Sequence, residues 1–124
     1  MTAHQVYVIN PNPQFPVTTT SVDGGPYMAR ASVARLIGMG TDTPDLTHFP
    51  GGVAAWHAPA GDTADLAPNP VAALVLDALG AYGPWTAAIR GPVVLTAQEQ
   101  SHPKGLTPAQ STDLLVLICE AVSR

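Results

Sequence analysis

The chain has 124 residues, of which 46% are hydrophobic and only 11% are charged, and its formal net charge is −4. This length predicts one domain with its own core, and the composition argues against intrinsic disorder. The five basic residues are scattered, which disfavours binding to duplex nucleic acid. No segment has the pattern of a membrane span or a signal peptide, so we predict a cytoplasmic protein with no membrane partner.

Two segments near the N-terminus have the β-branched and aromatic composition of strands. The first covers residues 5–9 and the second covers residues 17–22. Prolines lie between them, where they do not interrupt a ladder of hydrogen bonds. We therefore expect an antiparallel pair, preceded by a flexible N-terminus over residues 1–4.

A helix is predicted to begin at Pro26, because the fixed φ of proline suits a first helical turn. An apolar stripe follows, with Arg30 and Arg35 on the outward side. Gly38 has the position of a C-terminal cap. Residues 39–50 are predicted to form a loop.

The middle of the chain combines a strand, a hairpin tip and a helix start. Residues 53–58 predict a strand, and residues 59–63 predict the tip of a hairpin with a short return arm. Asn69 is a favourable N-cap residue, and Pro70 suits the first helical position. The wide apolar face of that helix, which implies burial on more than one side, contains Leu74, Val75, Leu76 and Leu79. The helix is predicted to end at residues 80–83.

The last third of the chain predicts a strand over residues 86–97 and a helix over residues 108–122. Gly91 and Pro92 indicate either a β-bulge or a position at the edge of the sheet, where proline is tolerated. Thr107, Pro108 and Gln110 have the spacing of a capping box. The core face of the helix is expected to contain Leu114, Leu115, Ile118, Ala121 and Val122. Cys119, the only cysteine, is expected to pack as a small hydrophobic residue, and a reactive thiol is the less favoured alternative.

Strands and helices that do not alternate strictly predict an α+β fold. We expect a single domain over residues 1–124, with a mainly antiparallel sheet of four to five strands packed with three helices. The last of these helices lies within residues 107–124.

Four motifs occur in an order and spacing that resemble a known family. They are the Gly51–Trp56 strand, the turn at Asp62, the Asn69-Pro70-x-Ala72 helix start and the Ile89-x-Gly91-Pro92-Val93-Val94-Leu95 strand. Together they resemble the domain-of-unknown-function family three-eight-four-six, small proteins of actinobacteria, their phages and mobile elements. The resemblance covers about residues 5–97 and leaves the C-terminal helix as an appendage. It implies a phage or mobile-element origin and no particular chemistry.

No group of residues has the spacing of a catalytic or metal site. The four histidines form no local ligand pair, so neither a metal nor another cofactor is predicted. Ser101 and His102 are neighbours in a loop, which does not make a catalytic dyad. Asp62 and Asp65 are better explained as turn formers than as paired catalytic carboxylates. An enzyme is therefore the least favoured class of function.

The most suggestive small-ligand feature is the pair Gly24-Gly25, which precedes the first predicted helix. Backbone N–H groups there could bind an anion or a nucleotide-like ligand, with Arg30 and Arg35 supplying positive charge. A simple turn is the alternative interpretation.

The aromatic residues favour a second class of function, protein–protein interaction. Tyr82 and Trp85 lie in a connection, where large aromatic side chains either cover the core or bind a partner. Trp56 is expected in a half-buried strand, where its ring packs in the core, and Arg90 lies on the last strand. These four residues are the predicted contacts with a host protein or with a second copy in a homodimer.

Overall fold

The computed structural model describes residues 2–12, 14, 16–38, 44–59, 66–80, 89–100 and 102–123. Within these ranges, six strands form one antiparallel sheet in the order β2-β1-β5-β4-β3, with β6 paired to β5. The strands are β1 (Thr2–Ile9), β2 (Val17–Gly24), β3 (Asp45–Phe49), β4 (Val53–His57), β5 (Val93–Glu99) and β6 (His102–Lys104). Three helices, α1 (Arg30–Ile37), α2 (Pro70–Leu79) and α3 (Pro108–Val122), pack against it. The predicted α+β fold is confirmed.

The first two strands form the expected antiparallel pair over their whole length. Thr2 pairs with Gly24 at one end of the ladder, and Ile9 pairs with Val17 at the other. Residues 2–4 are therefore part of β1, and the prediction of a flexible terminus there is wrong. The reason is tertiary, because His4 is buried and forms side-chain contacts with two other segments.

The predicted loop over residues 39–50 contains a strand that the sequence analysis missed. Asp45–Phe49 forms β3, which pairs with β4 across a turn at residues 50–52. Residues 39–43 lie outside the described ranges. The predicted hairpin between residues 53–58 and a return arm is also wrong, because β3 and β5 occupy the two sides of β4. The tip residues 60–63 lie outside the described ranges as well.

The centre of the sheet is buried on both faces. All five residues of β4 are buried, as are the first five of β5. One face of these strands packs on α2 and α3 in a cluster that includes Leu95 and Leu76. The other face packs on α1 in a cluster that includes Trp56 and Val33. The domain therefore has three layers, with the sheet in the middle.

Helix α1 begins at Arg30, four residues later than predicted. The backbone N–H of Met28 donates to the Pro103 carbonyl oxygen at 2.9 Å, so this segment is attached to β6 instead of starting the helix. Gly38 ends α1 in the left-handed conformation, with φ of 88°, as its position predicts. Arg30 and Arg35 are exposed, in agreement with the prediction.

Helices α2 and α3 begin as the sequence predicts, but their buried faces are narrower. The Asn69 side chain accepts from the Ala72 N–H, and Thr107 and Gln110 form the complete capping box. The predicted core residues that prove to be exposed are Leu74 on α2 and Leu115 and Val122 on α3, together with Cys119. Each helix lies in an outer layer, so only one side of it contacts the core. Helix α3 is nevertheless no appendage, because Leu114, Ile118 and Ala121 belong to the central cluster.

The strand predicted over residues 86–97 begins later, at Val93, and continues to Glu99. Arg90 forms an isolated β-bridge with Pro68. Gly91, which separates this bridge from β5, has a left-handed backbone with φ of 78°. This left-handed φ favours glycine, whereas the nearest atom to a Cβ at Gly91 would be Leu66 Cδ1 at 2.8 Å, the end of a side chain that can shift. Residues 86–88 lie outside the described ranges.

Among the described segments, no helix combines the length and the hydrophobicity needed to cross a membrane.

Candidate functional site

The Gly24-Gly25 turn, where an anion site was predicted, is occupied by the His4 side chain. His4 Nε2 lies 2.9 Å from the Gly25 carbonyl oxygen, and the Gly105 N–H donates to Nδ1 at 2.9 Å. Since a backbone N–H can only donate, Nδ1 is the acceptor and Nε2 carries the hydrogen that binds Gly25. His4 thus joins β1 to the turn after β2 and to the segment after β6.

Gly24 also has a structural explanation. A Cβ at Gly24 would lie 2.8 Å from the Tyr27 carbonyl oxygen, so close packing of the backbone selects glycine there. The turn precedes the first helical residue, Arg30, and its N–H groups are therefore not those of the helix N-terminus. Arg35 lies along its own helix, with Nε 3.4 Å from the Ala31 carbonyl oxygen. Anion binding at this turn stays a prediction.

Two of the predicted partner contacts have roles inside the domain. Trp56 is 1% exposed, and its Nε1 donates to Thr96 Oγ1 at 2.9 Å in the core. The strand that carries Trp56 is buried on both faces and not half-buried as expected. Arg90 is half-buried, and its Nη1 donates to the Leu66 carbonyl oxygen at 2.9 Å. Trp56 is therefore inaccessible to a partner.

Tyr82 and Trp85, the other two predicted contacts, lie outside the described residues. Whether they cover the core or bind a partner stays open as a prediction.

Helix α3 carries an exposed apolar surface that the sequence analysis assigned largely to the core. We call it the α3 strip, and it consists of Leu115, Val116, Cys119 and Val122. The exposed fractions of its large side chains are 48% for Leu115, 55% for Val116 and 44% for Val122. At about 100° per residue these positions lie on one side of the helix. The strip is therefore a continuous apolar surface facing solvent.

The sequence contains a signal for this surface. The buried residues Leu114, Ile118 and Ala121 are spaced i, i+4 and i+7, which is a complete helical stripe. Leu115, Cys119 and Val122 repeat that spacing one residue later. A helix in an outer layer buries only one such stripe against the core. The second stripe on α3 therefore indicates an apolar surface that the core does not cover.

The acidic residues of α3 border the strip on one side. Asp113 and Glu120 are exposed and are seven residues apart, so they lie on the same flank of the helix. Helical geometry places them about 100–120° around the axis from Cys119, the middle of the strip, and about 40–60° from Val116 at its edge. Two carboxylates therefore flank the Val116 edge of the apolar surface.

A small open cavity lies at the β3–β4 turn, beside the end of β5. Its volume is about 250 Å³, and its lining consists of His48, Phe49, Gly52, Val53, Gln98 and Gln100. The Gln98 N–H donates to the Gly52 carbonyl oxygen at 2.8 Å, which holds the two walls together. Gln98 Oε1 is buried and has no hydrogen-bond partner within the described part of the chain. The cavity is smaller than the usual ligand pocket of about 300–1,000 Å³.

Replacing Gln100 with glycine should raise the free energy of unfolding by about 0.5–1 kcal/mol, because relief of the left-handed strain, about 1–2 kcal/mol, exceeds the entropy cost of glycine, about 0.5–1 kcal/mol. Gln100 has φ of 50° in the turn between β5 and β6, a left-handed conformation that glycine adopts without a Cβ clash. Chemical denaturation of the two proteins measures the difference. Gln98→Gly is the control, because Gln98 lies in β5, and it should destabilise. An unchanged or lower stability of Gln100→Gly would contradict the prediction.

Within the described ranges, no three His, Cys, Asp or Glu side chains form a group that could hold a metal ion.

Comparison of the chain with family models, with curated proteins and with solved structures finds no match. The resemblance drawn from the sequence motifs therefore stays a prediction.

Proposed function

We propose that this protein acts by binding another protein, with the α3 strip as the contact surface. The exposure of Leu115, Val116 and Val122 side by side on one helix is the observation that carries the proposal. Large exposed apolar surfaces are unfavourable in water and mark sites of association. Only 11% of the residues are charged. This low content of charged residues also favours association, because it weakens electrostatic repulsion between molecules.

The biological setting that we propose is that of an accessory or host-modulating protein of a phage or mobile element. Support for it comes from the sequence motifs that resemble the family named above. The alternative function, binding of an anionic ligand at Gly24-Gly25, has less support, because the N–H groups of this turn are not those of the α1 N-terminus.

Native mass spectrometry of the protein purified from its own host tests the proposal. We expect a bound protein partner on the wild-type chain and its loss from the Leu115→Ser/Val116→Ser variant. Both side chains are about half exposed, so serine removes apolar contact area without opening the core.

The matched control is Leu74→Ser, which removes an exposed leucine from α2 instead of α3. It should retain the partner. A partner that stays bound to the strip variant, or one lost equally from the Leu74 variant, would contradict the assignment of the binding surface to α3.

A further inference from the structure

Strand β2 lies at one end of the sheet, with β1 on its inner side and no described strand on its outer side. All eight of its residues pair with β1 in one continuous register. A free edge of this length is a template for another strand, and proteins usually protect such an edge with lysine, proline or a bulge. Strand β2 contains none of these, and Asp23 near its end is its only charged residue. The strand at the opposite end of the sheet, β3, has five residues and begins with Asp45.

Hydrogen bonds around β1 show which backbone groups of β2 point outward. The Asn10 N–H donates to the Pro16 carbonyl oxygen at 2.7 Å, and these two residues continue the β1–β2 register. The carbonyl oxygens of Gln5 and Ile9, both on β1, bond to groups outside the β1–β2 pair. Hydrogen-bonded and non-hydrogen-bonded residue pairs alternate along an antiparallel ladder. The N–H and C=O groups that point away from β1 therefore belong to Val17, Thr19, Ser21 and Asp23.

The helices leave room for a further strand beside β2. Thr18 and Thr19 point to opposite faces of the sheet, because neighbouring side chains in a strand alternate. Both residues are exposed, so neither α1 on one face nor α2 and α3 on the other cover this end of the sheet. Another sheet can therefore approach the edge of β2 without meeting one of these helices.

We propose that the outer edge of β2 pairs with β2 of a second copy of this chain, in an antiparallel ladder about a two-fold axis at Thr20. This axis places Thr19 of one copy opposite Ser21 of the other. It also places Val17 opposite Asp23, so every outward-pointing residue meets an outward-pointing residue. Each such pair exchanges two hydrogen bonds, which gives about eight in the ladder. The two sheets then form one continuous sheet across the dimer.

Charge and preorganisation favour a second copy over a flexible peptide at this edge. The two Asp23 carboxylates lie at opposite ends of the ladder, about 20 Å apart, and each faces Val17. The hydroxyl groups of Thr19 and Ser21 lie side by side, which is a favourable cross-strand pair. The strand of a second copy is already fixed by its own β1, whereas a flexible peptide loses conformational entropy when it binds. This contact uses a different surface from the α3 strip and does not rest on the proposed function.

Sedimentation equilibrium of the recombinant chain and two doubly charged variants tests both the partner and the register. The wild-type mean mass should rise from monomer towards dimer between about 1 and 300 µM, the range of micromolar dissociation constants. Thr19→Lys/Ser21→Lys places like charges opposite each other and should raise the dissociation constant about tenfold or more. The matched control, Thr19→Lys/Ser21→Glu, places opposite charges side by side and should keep the constant within about threefold of wild type. Both positions are exposed, so circular dichroism should show all three proteins folded.

Several results would overturn the proposal. Equal dissociation constants of the two charged variants would place the interface elsewhere or in another register. A dimer lost in Leu115→Ser/Val116→Ser would place it on α3. A wild-type chain that stays monomeric to about 300 µM, yet retains a host protein that Thr19→Lys/Ser21→Lys loses, would show that the edge binds a foreign strand. A dimer with the expected charge dependence supports the inference whether or not a host protein binds the α3 strip.

Discussion

Replacing Asn69 with alanine should lower the free energy of unfolding by about 3–5 kcal/mol, the largest effect that we expect from one polar side chain in the described residues. Asn69 is 1% exposed. Its Oδ1 accepts from the Ala72 N–H at 3.1 Å, and its Nδ2 donates to the carbonyl oxygens of Ile9 at 3.0 Å and Gly91 at 2.8 Å. One side chain thus caps α2 and joins it to the end of β1 and to the segment before β5.

The magnitude follows from counting these bonds. Loss of an N-cap costs about 1 kcal/mol, and each of the two carbonyls left without this donor costs about 1–2 kcal/mol, the lower part of the range for a buried polar group. Alanine removes the cap and both donors. Equilibrium unfolding in urea measures the loss.

Asn69→Asp separates the cap from the two bridging bonds. As a cap alone, aspartate is about as good as asparagine. In this position, however, an aspartate oxygen would face the carbonyl oxygens of Ile9 and Gly91, with no hydrogen to donate. We therefore expect Asn69→Asp to destabilise at least as much as alanine. An aspartate variant as stable as the wild type would show that only the cap matters.

Replacing His4 with alanine should lower the free energy of unfolding by about 2–4 kcal/mol. His4 is 4% exposed and bonds to the Gly25 carbonyl oxygen and the Gly105 N–H. Alanine leaves both backbone groups without this partner in a part-buried site, and it also leaves a cavity the size of an imidazole. Because His4 connects three segments that are far apart in the chain, its loss should loosen them together.

Urea unfolding with a matched histidine variant measures this effect. His48→Ala is the control, because His48 is exposed on β3, and it should change stability by less than about 0.5 kcal/mol. Hydrogen exchange should show faster exchange of the Gly105 amide in His4→Ala. Equal stability of the two variants would contradict the bridging role of His4.

The helix ends show where local chemistry was sufficient for prediction. Asn69-Pro70 and the Thr107–Gln110 capping box were located from sequence, because a cap depends on residues three positions apart. Gly38 and Gly80 likewise end helices in the left-handed conformation. By contrast, Pro26 suggested a helix start that the structure does not use, since the backbone of Met28 pairs with Pro103 instead.

Strand β3 shows why the sheet was only partly predictable. Its five residues mix exposed, half-buried and buried positions, and the strand lies at an edge, so its pattern is that of a polar loop. Asp45–Phe49 forms a strand because one edge of β4 is free to hydrogen-bond with it. That edge is free because β5 pairs with the other edge of β4. Because β3 and β5 pair with both edges of β4, the return arm predicted after β4 has no edge of β4 to pair with.

The candidate site was the least predictable part, because its residues are identified by the solvent exposure of their side chains, which the sequence does not give. Leu114 and Leu115 are chemically identical, yet the first is buried and the second is about half exposed. The sequence predicted Trp56 both as a core residue and as a partner contact, and burial of β4 on both faces leaves only the core role.

Composition, periodicity and neighbouring residues were enough to predict the α+β class, the β1–β2 pair and the ends of α2 and α3. The strand order, the bridging roles of His4 and Asn69 and the choice of the solvent-exposed stripe of α3 could be read only from the folded domain. These features depend on contacts between residues distant in the chain, such as His4 with Gly105 and Asn69 with Ile9. Neither contact can be inferred from one side chain and its neighbours.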